Sequence, residues 1–180
     1  MEKVYLDMFK LQNILRDRDA SAIICDEYSL PSISTKNIAT DGTKPLYVGW
    51  ENDKLVFYTD ADSIVVDSPS MSSMFMFLKN LTDISGLRKW DTSKVESMSS
   101  MFSCCYSLKD LSPLSSWDVS HVKDMKSMFS MCYELTDIRP LEKWNLRKDI
   151  LTEDAFLRCN IKDNVTLHLI KKFKIYVNEI

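Results

Sequence analysis

The sequence predicts an α/β (α+β) solenoid of about 3.5 stacked repeats, with an N-terminal helix, a small β cap and a C-terminal cap. Two observations predict this fold class. Aromatic and thioether side chains recur at a fixed step of 27 residues. One such unit is too small to bury its own apolar stripe, so consecutive units must cover one another. Stacking would place like side chains in ladders along a continuous core.

The repeat is marked by Trp90, Trp117 and Trp144, which lie 27 residues apart. The other positions in register are Met71, Met98 and Met125, the Met-Phe pairs that begin at residues 74, 101 and 128, Leu81, Leu108 and Leu135, Ile84, Leu111 and Ile138, and Leu87, Leu114 and Leu141. A fourth copy begins and then decays, because Thr152 stands where methionine is expected and Lys162 where leucine is expected. Such decay is typical of a terminal capping unit.

Each copy is predicted to have a helical half and a coiled half. In the middle copy, apolar residues between 95 and 108 fall at i, i+3, i+6, i+7, i+10 and i+13, which is one face of a helix. Ser93 takes the N-cap position and Glu96 follows three residues later, as in a capping box. In the second half the apolar step is three, and Pro113 and Pro140 argue against a long strand. This half is therefore predicted to be a coil that turns around the axis, with a short strand at most.

The chain divides into four predicted segments. Residues 1–45 hold a helix over roughly 2–18 and a polar connector, and residues 46–70 form a β cap. Within the cap, strands are predicted at 46–50, 55–58 and 63–66, the first two joined by a tight polar turn. Residues 71–160 contain the repeats. Residues 161–180 alternate in polarity around 165–169 and 173–177, which predicts two closing strands.

The segments Trp-Asp-Thr-Ser-Lys-Val-Glu-Ser-Met-Ser-Ser-Met-Phe at 90–102 and Trp-Asp-Val-Ser-His-Val-Lys-Asp-Met-Lys-Ser-Met-Phe at 117–129 resemble the repeat of the BspA-like leucine-rich-repeat proteins. The lead-in at 47–62 resembles the segment that precedes those repeats, so the resemblance covers about residues 45–150. It implies a leucine-rich-repeat-like solenoid and a bacterial, bacteriophage or protist origin. Typical members are large, secreted adhesion proteins, whereas this chain looks like a short, intracellular member of a bacterium, phage or mobile element.

Charge and hydropathy restrict the function classes. The formal net charge is −3, with −5 on residues 1–70 and +2 on residues 71–180. This balance argues against direct nucleic-acid binding but is compatible with a nucleoprotein partner. No window of about 18 apolar residues and no signal-like apolar core is present, so we expect no membrane association. The expected location is the host bacterial cytosol, or the cell surface if the chain is a trimmed piece.

Catalytic and metal-binding signatures are missing from the sequence. It contains no G-x-S-x-G, P-loop, G-x-G-x-x-G or H-E-x-x-H motif, and only three glycines. We therefore expect no enzyme activity, no cofactor and no metal. Cys105, Cys132 and Cys159 fall in register, where core packing is favoured over a metal or redox role because free cysteine is commonly buried. Cys104 lies off register and is expected to be exposed.

One extended face of the repeats is the candidate partner-binding site. Its residues are Thr82, Asp83, Ser85, Lys109, Asp110, Ser112, Thr136, Asp137 and Arg139. They vary between copies while the interior positions stay fixed, as a binding surface permits. The three aspartates could hold a cation or face a basic groove of a partner. The interpretation we favour is that each carboxylate caps nearby backbone N–H groups.

The leading functional hypothesis is a non-enzymatic, protein-binding interaction or inhibitor protein. A first alternative is a phage or mobile-element inhibitor of a bacterial CRISPR nuclease, whose basic channel the acidic stretch 51–67 could contest. A second alternative is a fragment of a bacterial surface adhesin, and a third is a hydrolase site on the cap. The sequence identifies neither the partner nor the oligomeric state.

Overall fold

The computed structural model describes residues 2–16, 19–26, 35–40, 44–161 and 167–174. The strands and α-helices are β1 (Lys3–Leu6), α1 (Met8–Leu15), β2 (Ala22–Asp26), β3 (Lys36–Asn37), β4 (Tyr47–Glu51), β5 (Lys54–Tyr58), β6 (Ser63–Val66), β7 (Trp90–Asp91) and α2 (Leu167–Lys172). Three 3-10 helices lie at Ser85–Lys89, Ser112–Leu114 and Arg139–Leu141. The 27-residue copies are numbered 1 to 4 below, at residues 64–90, 91–117, 118–144 and 145–161.

Two sheets organise the N-terminal part. One has three parallel strands in the order β1-β6-β7, and the other has four strands in the order β2-β5-β4-β3. In the second sheet β2 runs parallel to β5, whereas β4 is antiparallel to both of its neighbours. The strands predicted at 46–50, 55–58 and 63–66 are confirmed as β4, β5 and β6. Their alternating apolar residues and the polar turn at 52–53 were sufficient local signals.

The helix predicted over 2–18 is shorter than expected. Residues Lys3–Leu6 pair with β6 as a strand, in which Val4 and Leu6 are buried. Asp7 ends this strand and caps α1, since its Oδ1 accepts a hydrogen bond from the Lys10 backbone N–H at 3.0 Å. The spacing of Val4 to Met8 imitates a helical step, but the side chains of the strand alternate in burial.

The connector predicted after residue 18 contains β2, the edge strand of the four-stranded sheet that faces the repeats. β2 lies between β5 and copy 1, where the Ile23 backbone N–H donates to the Asp83 carbonyl at 2.7 Å. Gly86 approaches the same strand so closely that a Cβ on it would lie 2.5 Å from the Ile24 carbonyl carbon. β2 therefore joins the N-terminal sheet to the repeats.

The predicted fold class, an α/β leucine-rich-repeat-like solenoid, is wrong. The chain is a small α+β fold with two sheets of three and four strands, and both described α-helices lie outside the repeats. Within the fully described stretch 92–161 there is no α-helix and no strand longer than a single-residue bridge. The capping box is wrong as well, because Ser93 donates to the Asp91 carboxylate and Glu96 pairs with Lys123.

A run of consecutive turns takes the place of the predicted helix in each copy. In copy 2 alternate backbone N–H groups bond three residues back, as Met101 does to the Met98 carbonyl at 3.2 Å. The N–H groups between them bond to the next copy, as Phe102 does to the Met128 carbonyl at 2.8 Å. Left-handed residues such as Ser100 and Cys104, with φ of 56° and 63°, make this alternation possible. Turns of this kind generate the same three- and seven-residue apolar spacing as a helix.

Like side chains of consecutive copies are in direct contact. The phenylalanine rings at residues 75, 102, 129 and 156 stack with centroid separations of 5.4, 5.5 and 5.2 Å. The indole Nε1–H of Trp117 donates to the Leu87 carbonyl at 3.0 Å, and that of Trp144 donates to the Leu114 carbonyl at 2.8 Å. Each stacked ring pair adds roughly 0.5–1.5 kcal/mol beyond its burial. The copies thus hold a fixed spacing that positions their exposed residues.

The C-terminal end differs from the predicted pair of strands. Residues Leu167–Lys172 form the helix α2, and the predicted strand residues at 165, 175 and 177 lie outside the described ranges. Phe173 packs edge-on against Phe156 at 5.1 Å and against Trp144 at 6.3 Å. An aromatic side chain therefore covers the apolar interior of the last copy.

Candidate functional site

The nine predicted site residues lie in three equivalent triplets at the starts of the 3-10 helices. Six of them are exposed, and Ser112, Thr136 and Asp137 are half-buried. Each triplet follows a buried leucine of the repeat and ends at the first residue of a 3-10 helix. The structure therefore brings all nine residues to the same part of each copy.

The three aspartates cap the backbone at the 3-10 helix starts. Asp83 Oδ1 accepts the backbone N–H of Ser85 at 2.8 Å, and Asp110 Oδ1 accepts that of Ser112 at 2.7 Å. Asp137 Oδ1 accepts the backbone N–H of Arg139 at 2.9 Å. The capping interpretation of the aspartate ladder is confirmed by these bonds. Within the described ranges, no group of three His, Cys, Asp or Glu side chains is placed to hold a metal ion.

Two ion pairs lie on this face in copies 2 and 3. The Arg139 guanidinium binds Asp137 through two nitrogens, with Nη2 to Oδ2 at 2.6 Å and Nε to Oδ1 at 2.9 Å. These hydrogen bonds hold the pKa of Asp137 below its usual range and raise the pKa of Arg139. Lys109 lies 3.4 Å from Glu134, which belongs to the next copy. Asp137, Arg139 and Lys109 therefore have ionic partners, whereas Asp83 and Asp110 accept hydrogen bonds from neutral groups.

The copy 1 triplet forms part of the junction with the N-terminal sheet. Thr82 donates both its backbone N–H and its hydroxyl to the Ser21 carbonyl, at 2.8 and 3.2 Å. Asp83 forms a parallel bridge with Ala22, at the start of β2. Among the nine site residues, contacts of this kind belong to the copy 1 triplet and not to the triplets of copies 2 and 3.

Sequence reasoning missed an aromatic group beside this face. Tyr106 and Tyr133 stack at 5.0 Å, and the Lys79 ammonium lies 5.8 Å from the Tyr106 ring centroid. Phe77, two residues before Lys79, is 55% exposed and Tyr133 is 43% exposed. The signal was available, because residues 79, 106 and 133 also follow the 27-residue step. The column is less conspicuous than the buried ones because its first member, Lys79, is charged.

A family model for Mycoplasma proteins of unknown function, DUF285, matches residues 64–167. These are 104 of the 180 residues of the chain. The chain belongs to the DUF285 family. DUF285 is related to the BspA-like repeat proteins at a coarse level, so that broad resemblance is confirmed. No curated protein and no solved structure matches the chain.

The DUF285 match begins in β6 and includes every described copy of the repeat. Residues 1–63, which contain α1 and the whole four-stranded sheet, lie outside it. The junction at Thr82 and Gly86 therefore joins the family's repeat region to a segment that the match does not cover. Neither of the two described α-helices is long and apolar enough to cross a lipid bilayer.

The registered cysteines of this DUF285 chain belong to the packing of the repeats. Cys105 Sγ lies 3.1 Å from the Phe75 carbonyl of the preceding copy, and Cys132 and Cys159 repeat this contact. Cys105 and Cys132 are fully buried, which confirms the core interpretation, and Cys159 is half-buried. Burial raises the pKa of the Cys105 thiol. Cys104 was expected to be exposed but is buried, with its sulfur 3.6 Å from Met131 Sδ.

Both histidines of the chain are exposed. His121 Nδ1 lies 3.2 Å from the Ser120 hydroxyl, and His168 is in α2. The Ser120 backbone N–H bonds to Asp118, so this serine serves a local turn of copy 3. The described residues therefore do not bring either histidine to the nine-residue face.

Proposed function

We propose that this DUF285 chain is a non-enzymatic protein-binding module, and that it acts as a small interaction or inhibitor protein. The observation that carries the proposal is that copies 2 and 3 share their interior packing and backbone caps but differ in the residues of the face. Both copies have buried leucines at two equivalent positions, 108 and 135 and then 114 and 141, with the same aspartate cap and the same indole-to-carbonyl bond. The residues that they present on the face differ, with Lys109 and the half-buried Ser112 in one and Arg139 and the half-buried Thr136 in the other.

Local bonds hold the polar residues of this face before any partner arrives. The Ser112 hydroxyl donates to Asp110 at 2.8 Å, and the Arg139 guanidinium is fixed on Asp137. Side chains that are already ordered lose less conformational entropy when they enter an interface. A face of this kind supports recognition of a complementary protein surface.

A matched pair of variants tests the proposal. The wild-type chain would be used to capture a partner from the source cell, and the purified partner would then be titrated against each variant. The double substitution Ser112→Arg with Arg139→Glu changes the face, whereas Lys148→Glu changes an exposed lysine outside it. We expect at least a tenfold loss of affinity for the double variant and no change for the control. A captured partner that binds both variants like the wild type would rule out the nine-residue face as the binding surface.

The acidic stretch 51–67 has fewer carboxylates available to a basic partner than its composition suggests. Asp60 binds Lys44 at 2.9 Å and Asp67 binds Lys94 at 2.8 Å, so two of its carboxylates already have cationic partners. The hydrogen bond from Lys44 lowers the pKa of Asp60. Contact through the repeat face is therefore the form we propose. Direct assay of a bacterial CRISPR nuclease with the purified chain would test the inhibitor alternative.

The cellular setting of the proposed interaction has two versions. In the first the chain is a short member of the family that acts in a bacterial cytosol after delivery by a phage or mobile element. In the second it is part of a surface adhesin and meets its partner outside the cell. Fractionation of the source cell with an antibody against the repeats would decide between them, since the two versions place the protein in different fractions.

A further inference from the structure

Phe77 combines two features that the fold itself does not require. Its backbone is left-handed, with φ at 68°, and its side chain is 55% exposed. A left-handed backbone is strained for a bulky L-residue, and an exposed phenyl ring gives up most of its hydrophobic stabilisation. The equivalent residues are Cys104, Met131 and Arg158, with φ of 63°, 61° and 62°. A smaller or more polar side chain would serve this corner of copy 1 better, which points to a role outside folding.

Other exposed rings accompany Phe77 along the same edge of the repeats. Tyr106 and Tyr133 stack in the neighbouring column, two residues along each copy, and Tyr133 is 43% exposed. The Cys104 sulfur, in the column of Phe77, lies 3.6 Å from Met131 Sδ in the same column. Solvent-exposed aromatic residues in a fixed array are typical anchors of protein interfaces.

Two cations accompany these rings. Lys79 lies over the Tyr106 ring at 5.8 Å, and Arg158 continues the column of Phe77 into copy 4. Both are exposed, and neither forms an ion pair with any residue in the described ranges. The neighbouring carboxylates are already bonded, Glu134 to Lys109 and Asp19 to Asn80. We call Phe77, Lys79, Tyr106, Tyr133 and Arg158 the aromatic patch.

We infer that the aromatic patch docks a segment of a partner protein that carries carboxylates on either side of an apolar anchor. The anchor contacts Phe77 and Tyr133, and the carboxylates reach Lys79 and Arg158. This inference rests on the proposed protein-binding function and names the chemistry of the partner. A protein segment fits better than a single-stranded nucleic acid, which needs a continuous cationic groove along its backbone, whereas this chain has a net charge of −3.

Defined peptides test the chemistry. The probe is a fluorescein-labelled 12-residue peptide of alternating Glu and Leu around a central Phe, and its control has Gln in place of every Glu. We expect the acidic peptide to bind at least tenfold more tightly, and its affinity to fall between 50 and 300 mM salt because exposed charges are screened. Equal binding of the two peptides, or tighter binding of an oligo-dT of similar length, would overturn the inference. Self-association that Tyr133→Ser abolishes would overturn it in favour of a second copy of the chain.

Two glycine variants separate binding from folding. Phe77→Gly removes the ring and relieves the left-handed backbone, so Tm should fall by less than about 3 °C or should rise. Affinity for the acidic peptide should drop at least tenfold. Ser100→Gly changes another left-handed position, with φ at 56°, that carries no ring, and it should leave affinity unchanged. If Phe77→Gly lowers Tm strongly and leaves affinity intact, Phe77 is structural and the inference fails.

Failure of this inference can be told from failure of the proposed function. If a captured partner is lost with the Ser112→Arg, Arg139→Glu variant but retained by Phe77→Gly, the module binds protein through the nine-residue face and the aromatic patch is not its anchor. If Phe77→Gly and Tyr133→Ser both release the partner while Lys148→Glu does not, the patch is the docking surface. If no variant changes partner binding, both proposals fall.

Discussion

The three repeat tryptophans offer a direct measure of the bonds that join consecutive copies. Trp90, Trp117 and Trp144 are only 3%, 4% and 2% exposed, and each would be replaced singly by phenylalanine. The substitution keeps an aromatic ring but removes the indole N–H. The void left by the smaller ring is similar in all three variants, so differences among them report the hydrogen bond.

The expected difference follows from the acceptors. Trp117 and Trp144 donate to carbonyls that also accept a backbone N–H, so these acceptors stay paired when the indole N–H is removed. The Trp117→Phe and Trp144→Phe variants should therefore each lose only the hydrogen bond itself, about 1 kcal/mol of the free energy of unfolding. The Nε1 of Trp90 is buried without a partner among the described residues. Phenylalanine at this position removes a desolvation cost of about 1 kcal/mol. The gap between Trp90→Phe and the other two variants should therefore be about 2 kcal/mol, or roughly 4–8 °C in Tm.

Thermal unfolding monitored by far-UV circular dichroism is the appropriate assay, because it does not depend on the tryptophans that are being changed. Urea titration of the same variants should give equal slopes, which would show that the unfolded reference is unaltered. Equal Tm values for the three variants, within about 2 °C, would refute the reasoning. That result would mean that the indole bonds contribute nothing beyond ring packing, or that Trp90 has an acceptor of its own.

Three further predictions follow from single contacts. Gly86→Ala should destabilise the chain by about 1–3 kcal/mol, because its Cβ would meet the β2 backbone at 2.5 Å. Pro140→Ala at the equivalent place in copy 3 should cost less than about 1 kcal/mol in the same urea titration. Thr152→Val should raise Tm, since the Thr152 hydroxyl is buried without a partner among the described residues. Thr92→Val should lower Tm, since the Thr92 hydroxyl donates to a backbone carbonyl at 2.9 Å. The pKa of Asp137 is depressed in the folded state, so its ion pair stabilises the fold above about pH 4 and is lost as pH falls further. The Tm difference between wild type and Asp137→Asn should therefore shrink between pH 6 and pH 2, and a constant difference would contradict this assignment.

Local signals made the small cap predictable. β4 and β5 alternate in polarity on both sides of a polar turn, and β6 is a short apolar run next to the first repeat. The strand β2 has an equally apolar core in Ala22–Cys25. Its pairing with β5 and with copy 1 is long-range, and the surrounding Ser-, Thr- and Asp-rich sequence favoured a connector.

The helix predicted in each repeat is wrong because the sequence lacks the residue that usually marks a chain of turns, a glycine at each left-handed corner. Chains of turns with left-handed corners generally carry glycine at those corners. Here the left-handed positions of copies 1 to 3 hold Ser73, Ser100 and Ser127 in one column, and Phe77, Cys104 and Met131 in the next. The chain has three glycines, and the two that lie in the described ranges, Gly49 and Gly86, are not left-handed. The apolar spacing was the remaining signal, and it suits a helix equally well.

Departures from the repeat are informative where a contact explains them. Copies 2 and 3 have Pro113 and Pro140 where copy 1 has Gly86, and the approach of β2 to Gly86 leaves no room for a ring. Copy 1 also has Leu78 where later copies have cysteine, since the cysteine sulfur bonds to the phenylalanine carbonyl of a preceding copy. The first departure makes room for β2, and the second falls in the copy that has no preceding copy to supply the carbonyl.

Phe77 also differs from the equivalent residues of the later copies, but here the difference is a large apolar side chain in an exposed position. It is more than half exposed, whereas the equivalent Cys104 in copy 2 is buried and the equivalent Met131 in copy 3 is half-buried. The left-handed backbone makes a phenyl ring costly at this position, and more than half of the ring's surface is left in solvent. A residue that strains the fold and leaves most of its apolar surface exposed is best explained by a contact outside the molecule. This asymmetry is the reason to examine the aromatic patch before the nine-residue face when a partner is sought.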